Sequence, residues 1–447
     1  MKSIRIRGIL TIICVIGFAL STQAQHTHEE EYQDDENIIN VSSLNKTFHS
    51  LDVSDIQDGI DGDFYSGSSF GLRNLLYSAY PVLQPLRFNR VDGLFLGIEN
   101  ERMNYNKKDF LGIESIDLHG MIGYSVGQQN WQYAAGLEAA LDDDKNILIG
   151  GELHNSTSTN DYWRLGRTEN SITALSAGHD YYDYFNVEGY GAYVLIKAGN
   201  VMELGASYNA DIYSSLDISS QYSVFGDAKN YRPNPAIDQD FDEINQESVT
   251  LGLTLNPGQS IKNSLFSSTL SVKAEIANLP SSVNDFLYNK YVAETKLQLK
   301  LNSSSIVQWR MLGSSITGDA PDFKKLALGG IGTMRATGYK HFTGNQMLLS
   351  NLEIEFGKSS NSNKHNWADL KHTSLSLFID SGWTQSNSNL FTADSSPFDG
   401  FERFSFSNLS HNAGIGLGYE MVRFEVATPI AGAEGATTFW VRFNPTF

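Results

Sequence analysis

The chain has 447 residues, a formal net charge of −19 and a single cysteine. A chain this acidic is not expected to bind nucleic acid through its phosphates, and one cysteine excludes a disulfide-stabilised scaffold. Beyond the N-terminus no run of about 18 consecutive apolar residues occurs, so a membrane-spanning helix is not expected either.

The N-terminal residues have the pattern of a secretory signal peptide. Lys2, Arg5 and Arg7 precede an apolar run over 9–20, and small and polar residues follow over 21–25. This pattern predicts a signal peptide over 1–24, cut after Ala24, and therefore an exported protein. The cysteine lies inside the apolar run, so the mature chain would have none.

Residues 25–86 are predicted to form an acidic, partly disordered arm. The stretch 26–64 holds eleven acidic residues and one basic residue, Lys46. Low hydrophobicity and high charge favour a mobile, solvated segment. Acidic residues recur over 52–63, but their spacing does not match a calcium-binding EF-hand loop. A solvated linker is therefore preferred to a calcium site.

From residue 87 to residue 447, apolar and polar residues alternate with a period of two, which predicts strands with one apolar and one polar face. The alternation is clearest over 268–278, 293–301, 305–312 and 437–447. It is compatible with a soluble β-sandwich, whose apolar faces meet each other. It is equally compatible with an outer-membrane β-barrel, whose apolar face meets lipid.

Five features favour the barrel. The strands are about ten residues long, which suffices to cross a bilayer at a tilt. Aromatic residues lie near strand ends, short connections alternate with long ones, and closure would remove exposed sheet edges. The last strand ends in Phe447, which is typical of the signal that bacterial barrel-assembly machinery reads. We therefore expect the chain to reside in the bacterial outer membrane.

Fifteen candidate strands can be identified in this region. Because bacterial single-chain barrels usually have an even number of strands, we expect an all-β, transmembrane antiparallel β-barrel of sixteen strands. Residues 161–183 fit the alternation poorly. They could form a short helix with an aromatic loop at a rim, or they could contain the missing strand.

The C-terminal part of the chain resembles the BamA/TamA superfamily, the bacterial surface antigen barrels. The residues that carry the resemblance are Gly329-Gly330, Arg335, Gly338-Tyr339, Gly344 and Asn351-x-Glu353, followed by Phe378, Asp380 and Gly382 in "LFIDSGW". The resemblance is good over 326–447 and thinner over 87–325. It implies a barrel that handles polypeptide or lipid at the outer membrane, by insertion, translocation or surface display.

The chain departs from the superfamily pattern in two respects. The family has Gly directly after the arginine of the loop, whereas this sequence has Arg335-Ala336-Thr337-Gly338. The family usually carries periplasmic POTRA domains, and the acidic arm is too short and too polar to form one. We therefore expect a member without POTRA domains.

The superfamily-like loop suggests an ion pair inside the barrel. On the strand after the loop, Leu352 and Ile354 would face lipid, so Glu353 would face inward, and the same parity places Asp380 inward. A long loop folded into the lumen, with Gly329, Gly330, Gly338 and Gly344 allowing tight turns, could bring Arg335 to both carboxylates. The alternative is that Arg335 lies in solvent at a loop tip.

The expected partners are outer-membrane lipid, the barrel-assembly machinery through Phe447, and an unidentified client or periplasmic partner. Deletion of Phe447 should lower the level of the protein in the membrane. A passive or substrate-selective channel is the alternative function. A barrel-embedded hydrolase using His154 or His411 is less favoured, because no nucleophile motif accompanies them. We expect no enzyme activity, no cofactor and no metal.

Overall fold

The computed structural model describes residues 85–100, 116–225, 231–257, 265–280, 283–302, 304–357, 373–390, 392–419, 422–430 and 433–443. The predicted signal peptide, almost all of the acidic arm and Phe447 lie outside the described residues.

Sixteen strands form one antiparallel sheet, in which each strand pairs with its neighbours along the chain. They are β1 Leu86–Asn89, β2 Gly93–Asn100, β3 Ile116–Ser125, β4 Asn130–Ala140, β5 Ile147–Thr159, β6 Tyr184–Ala198, β7 Met202–Ser215, β8 Glu243–Leu255, β9 Phe266–Ile276, β10 Tyr288–Asn302, β11 Ser305–Gly318, β14 Gln346–Phe356, β15 Thr373–Gln385, β16 Ser410–Tyr419, β17 Val422–Ile430 and β18 Thr438–Phe443. Two short strands, β12 Leu326–Leu328 and β13 Phe342–Gly344, pair with each other between β11 and β14.

The sheet buries its polar face and exposes its apolar face. Ile98 is 74% exposed and Leu153 is 60% exposed, whereas Arg310 is 1% exposed and Asp380 is fully buried. A soluble sandwich would have the opposite distribution. The predicted transmembrane antiparallel barrel of sixteen strands is therefore confirmed, with its apolar face directed outward.

The strand that the sequence pattern missed is β1, which has four residues and directly precedes β2. It was missed because so short a segment shows no clear alternation. Residues 161–183 contain a helix instead, α1 Arg167–Ala177. Gly178 ends this helix in the left-handed conformation, with φ of 71°, which glycine adopts without steric cost.

The helix confirms the first of the two predicted alternatives for this segment, and it contacts the inner face of the sheet through Glu169, which pairs with Arg442 of β18. Its residues Glu169 and Asn170 are buried, and Ala174 packs with Phe88 of β1 and with Tyr231. Short 3₁₀ turns occur at Asp322–Lys324, Ser388–Leu390, Phe401–Arg403 and Phe406–Asn408. Within the described ranges, no helix has the length and apolar character that crossing a membrane would require.

The segment 319–345 folds into the barrel, and we call it the inner loop. Leu326, Leu328 and Met334 of the inner loop are buried in the same apolar cluster as Leu312 of β11 and Leu349 of β14. The inner loop begins after Gly318, the last residue of β11. Apolar packing therefore fixes the loop against the barrel wall and positions its polar residues.

Candidate functional site

The inner loop brings Arg335 to Asp380 of β15. The guanidinium donates from Nε to Asp380 Oδ2 and from Nη2 to Asp380 Oδ1, each at 2.9 Å. The backbone amide of Arg335 donates to the same carboxylate at 3.1 Å. This is a bidentate, charge-assisted arrangement, the strongest class of side-chain hydrogen bond in proteins.

Two further carboxylates complete the surroundings of Arg335. Its Nη1 donates to Glu353 of β14 at 3.4 Å and to Glu425 of β17 at 3.3 Å. The Phe378 ring lies beneath the guanidinium, with 3.3 Å between the ring centroid and Cζ. Burial by itself would lower the pKa of Arg335, but the three carboxylates raise it above its ordinary value, so the side chain stays charged.

The charges extend from Arg335 to the last strand and to α1. Arg423 of β17 donates to Glu353 and, from Nε, to Glu425 at 2.7 Å. Arg442 of β18 lies 3.9 Å from Glu425 and forms a bidentate pair with Glu169 of α1. We call these seven residues the arginine–carboxylate cluster: Arg335, Arg423, Arg442, Glu169, Glu353, Asp380 and Glu425.

The tip of the inner loop, where Ala336 follows Arg335, packs against the barrel wall. Ala336 is buried against Phe378 and Ala427. Its carbonyl accepts a hydrogen bond from the Ala436 amide at 3.0 Å, and the Arg335 carbonyl accepts from Trp440 Nε1 at 3.0 Å. The alanine therefore fills a small apolar site. Hydrogen bonds from the turn between β17 and β18 and from β18 itself also hold the tip.

At three of the four predicted loop glycines, the backbone conformation or a close neighbouring atom disfavours any residue with a Cβ. Gly329 and Gly330 have φ of 121° and 86°, which L side chains rarely adopt. A Cβ on Gly344 would lie 2.4 Å from the Gln385 carbonyl oxygen. At Gly338 a Cβ would be 3.9 Å from the nearest atom, the Cβ of His341, so no such requirement is visible there.

A second group of contacts anchors the inner loop five residues after Arg335. Lys340 Nζ pairs with Asp161 at 2.8 Å and with Asp183 at 2.6 Å. Arg164 pairs with Asp161 at 3.1 Å and donates to the Gly329 carbonyl. Burial raises the pKa of Asp161, but Lys340 and Arg164 outweigh it and lower the pKa to about 2.

A cavity of about 630 Å³ lies between the inner loop, the segment before α1 and the inner faces of β9, β10 and β11. Its wall includes Asp161 and Lys340 of the second anchor, and Lys273, Glu275 and Lys290 from the strands. The cavity is thus bounded by charged groups on both sides and lies next to the inner loop.

The two histidines considered for hydrolysis are placed differently. His154 lies between Glu152 and Asp211, with ring nitrogens 3.2 Å and 3.1 Å from their carboxylates. His411 Nδ1 is 2.8 Å from the Ser381 hydroxyl. Residues on either side of Ser381 along β15, Asp380 and Gly382, are buried, so this pair lies on the face that alternates with the inner one.

The sequence patterns grouped Arg335 with Glu353 and Asp380, and the structure places the Arg335 guanidinium within hydrogen-bonding distance of both carboxylates. The patterns missed the other four members of the cluster. Strand parity could have found three of them, because Arg423, Glu425 and Arg442 alternate with outward apolar residues on β17 and β18. Glu169 gave no such signal, since its segment was not assigned to a strand or a helix.

Comparisons with known proteins agree with this architecture. A family model described as "Family of unknown function (DUF5686) C-terminal domain" matches residues 62–265, which is less than half of the chain. The comparison with curated proteins finds no match.

Among solved structures, BamA from Haemophilus ducreyi lacking POTRA domains 1–3 matches with 14% identity and a TM-score of 0.51, over 80% of this chain and 68% of BamA. CdiB from Escherichia coli matches with 14% identity and a TM-score of 0.42, over 88% of this chain and 70% of CdiB. CdiB from Acinetobacter baumannii matches with 9% identity and a TM-score of 0.41, over 78% of this chain and 56% of CdiB.

The CdiB likenesses are too weak to carry an argument, and an identity of 14% supports a conclusion about fold alone. The predicted resemblance to BamA-type barrels is confirmed at that level. This chain has the barrel fold that is seen in BamA.

Proposed function

We propose that this chain is an outer-membrane barrel that inserts, translocates or displays polypeptide or lipid at that membrane. The observation that carries the proposal is a BamA-like barrel whose interior is occupied by an anchored loop and a helix. The loop and the helix reduce the open cross-section of the lumen, so a wide aqueous pore is less favoured. A barrel that contacts its substrate at its outer wall and at its terminal strands is favoured instead.

The edges of the sheet support this choice. In the described part of the chain, β1 and β18 are the two ends of the sheet order. The Phe88 amide of β1 donates to Ser171 of α1 at 2.7 Å, and the Phe443 amide of β18 donates to Glu169 at 3.0 Å. Edge strands are templates for the addition of another strand, and here α1 occupies part of both edges.

Photo-crosslinking in intact cells tests the proposal. A photoreactive residue would replace Phe439 on β18, which is 78% exposed, and Leu251 on the central strand β8, which is 50% exposed, as the matched control. We expect polypeptide or lipid adducts at position 439 in excess of those at position 251. Equal yields at the two positions would contradict a role for the edge.

Cell fractionation tests the location separately. We expect a heat-modifiable protein in the outer-membrane fraction, as folded barrels are. Recovery of the protein as a soluble periplasmic monomer without detergent would contradict its location in the outer membrane. This conclusion does not depend on the crosslinking result.

A substrate-selective channel is the second candidate, and the cavity of about 630 Å³ beside the inner loop favours it. Stable unitary conductance of the purified protein in planar bilayers, with no adducts at position 439, would favour the channel. The proposal includes no enzymatic activity. If the protein hydrolyses lipid esters and Ser381→Ala abolishes this hydrolysis, the proposal that the protein has no enzymatic activity is wrong.

A further inference from the structure

The first strand of the sheet has an edge that faces α1. The Gly97 amide of β2 donates to the Pro85 carbonyl at 2.7 Å, and the Leu94 carbonyl accepts from the Val126 amide at 2.9 Å, on the side of β3. Ladder bonds alternate along an antiparallel pair, so the Phe88 amide, opposite Leu94, points away from β2. It donates instead to the Ser171 hydroxyl of α1 at 2.7 Å.

The residues after α1 hold the turn that follows β1. The Arg90 amide donates to Asp180 at 2.9 Å, and the Arg90 guanidinium donates to the Tyr182 carbonyl at 2.6 Å. Ala174 of α1 packs against Phe88. The helix and the segment behind it therefore cover the outer edge of β1 by hydrogen bonds and by apolar contact.

The same element holds the last strand. Among the residues that the structure describes, β18 forms ladder pairs with β17 alone. Glu169 of α1 accepts two hydrogen bonds from the Arg442 guanidinium, at 2.7 Å and 3.1 Å, and a third from the Phe443 amide at 3.0 Å. The Trp440 ring meets the Tyr181 ring edge-on, with 5.9 Å between centroids. One short element thus bridges the first and last strands.

We propose that residues 167–183, which we call the strap, form an autoinhibitory contact that covers the edges of β1 and β18 and is displaced when another strand is added there. The inference rests on the function proposed above and names the element that would control access to the edges. Edge strands without cover add other strands indiscriminately. A strap that must leave first makes this addition conditional.

The contacts of the strap are suited to exchange. At the two edges it engages the backbone amides of Phe88 and Phe443, whereas an added strand bonds to every second residue along the edge. Arg442 lies 3.9 Å from Glu425 as well as against Glu169. It therefore keeps a carboxylate neighbour when Glu169 leaves, so displacement does not leave the arginine as an isolated buried charge.

Hydrogen exchange of the full-length protein in detergent micelles, measured by mass spectrometry, tests whether the strap holds both edges. Glu169→Gln removes the charged partner of Arg442. We expect exchange over 438–443 to become about tenfold faster or more, as for loss of a hydrogen bond to a charged group. Exchange over 86–89, at the opposite edge, should also become faster, because one element covers both.

The matched control is Glu402→Gln. Glu402 lies in an exposed 3₁₀ turn and accepts a hydrogen bond from the Gly400 amide, so exchange at both edges should stay unchanged. Ser171→Ala repeats the test from the side of β1 if Glu169→Gln fails to give a folded, heat-modifiable barrel. Its control is Ser176→Ala, because the Ser176 hydroxyl donates to the Ile172 carbonyl within the same helix.

Photo-crosslinking at position 439 in intact cells then tests displacement. We expect Glu169→Gln to increase the adduct yield by up to about tenfold over the unmodified protein, in line with the faster opening, and Glu402→Gln to leave it unchanged. The excess at position 439 over position 251 in the unmodified protein remains the separate measure of the function proposed for the barrel.

Unchanged exchange at both edges in Glu169→Gln and Ser171→Ala would overturn the strap. Faster exchange without a higher adduct yield would also overturn it, because access to the edge would then not depend on α1. In either case an excess of adducts at position 439 in the unmodified protein still supports the proposed function, so the two failures can be told apart.

Discussion

The arginine–carboxylate cluster and the lysine group (Lys273, Lys290 and Lys324) face the same lumen, yet their ionic contacts differ in geometry. In the cluster, three arginines share four carboxylates, and every guanidinium has a carboxylate within 4 Å. In the lysine group, Lys324 Nζ lies 2.8 Å from Glu275, and the charges of Lys273 and Lys290 also act on this carboxylate. The comparison separates two uses of interior charge. A guanidinium fork fixes a loop through two parallel hydrogen bonds to one carboxylate, whereas a lysine ammonium acts as a compact point charge on a flexible side chain.

Removal of Arg335 should give the largest effect, because it leaves Asp380 buried without its bidentate arginine partner. For Arg335→Ala we expect a loss of about 3–5 kcal/mol in the free energy that holds the loop, the usual result of breaking a buried pair. The strands should still form. Limited proteolysis near Lys340 and urea titration in micelles measure the loss.

Arg403→Ala is the control for this change, because Arg403 lies in an exposed 3₁₀ turn and is not part of the cluster. Its stability should stay within about 0.5 kcal/mol of the unmodified protein. If both variants behave alike, the inner loop does not depend on Arg335.

The double variant Arg335→Ala/Asp380→Asn examines whether the two residues act as a pair. We expect Asp380→Asn to give a milder loss than Arg335→Ala, and the double variant to be less damaging than the two losses added together. The coupling should lie in the range of about 0.5–3 kcal/mol that contacting residues show. A double-mutant cycle by urea titration gives the value, and strict additivity would contradict the bidentate pair.

Acid stability tests the second anchor of the loop. The pKa of Asp161 falls from its ordinary 3.8 to about 2, so the carboxylate stabilises the folded state above the ordinary value. That contribution is lost as the pH falls through 3.8 toward 2. Asp161→Asn should lower stability near neutral pH and flatten its decline in this window. Urea titrations at several pH values measure this, and an unchanged slope would contradict it.

The smallest effect is expected for the lysine group. Lys290→Gln leaves the 2.8 Å contact between Lys324 and Glu275 in place and removes one hydrogen bond to the Lys324 carbonyl, so stability should fall by about 0.5–1.5 kcal/mol. The same urea titration provides the measurement. A loss as large as that of Arg335→Ala would mean that the lysines are structural and would remove the contrast between the two regions.

Strand parity explains why the sequence predicted the barrel and the core of the site. The alternation of inward and outward residues places Glu353 and Asp380 on the same face of the sheet, independently of the loop conformations. The superfamily-like spacing then suggested Arg335 as their partner. Parity says nothing about segments outside strands. Glu169 and Lys324 therefore could not be placed, since their positions depend on how α1 and the inner loop pack inside the lumen.

The contact between α1 and the last strand has a consequence for how the barrel assembles. Glu169 and Arg442 are 273 residues apart in the chain, so their pair cannot form until nearly all strands are present. Contacts of such long sequence separation come with a large loop-closure entropy and form slowly. We therefore expect the contact between α1 and β18 to form late in assembly. Once formed, it fixes the position of β18, because Glu169 binds both the Arg442 side chain and the Phe443 amide.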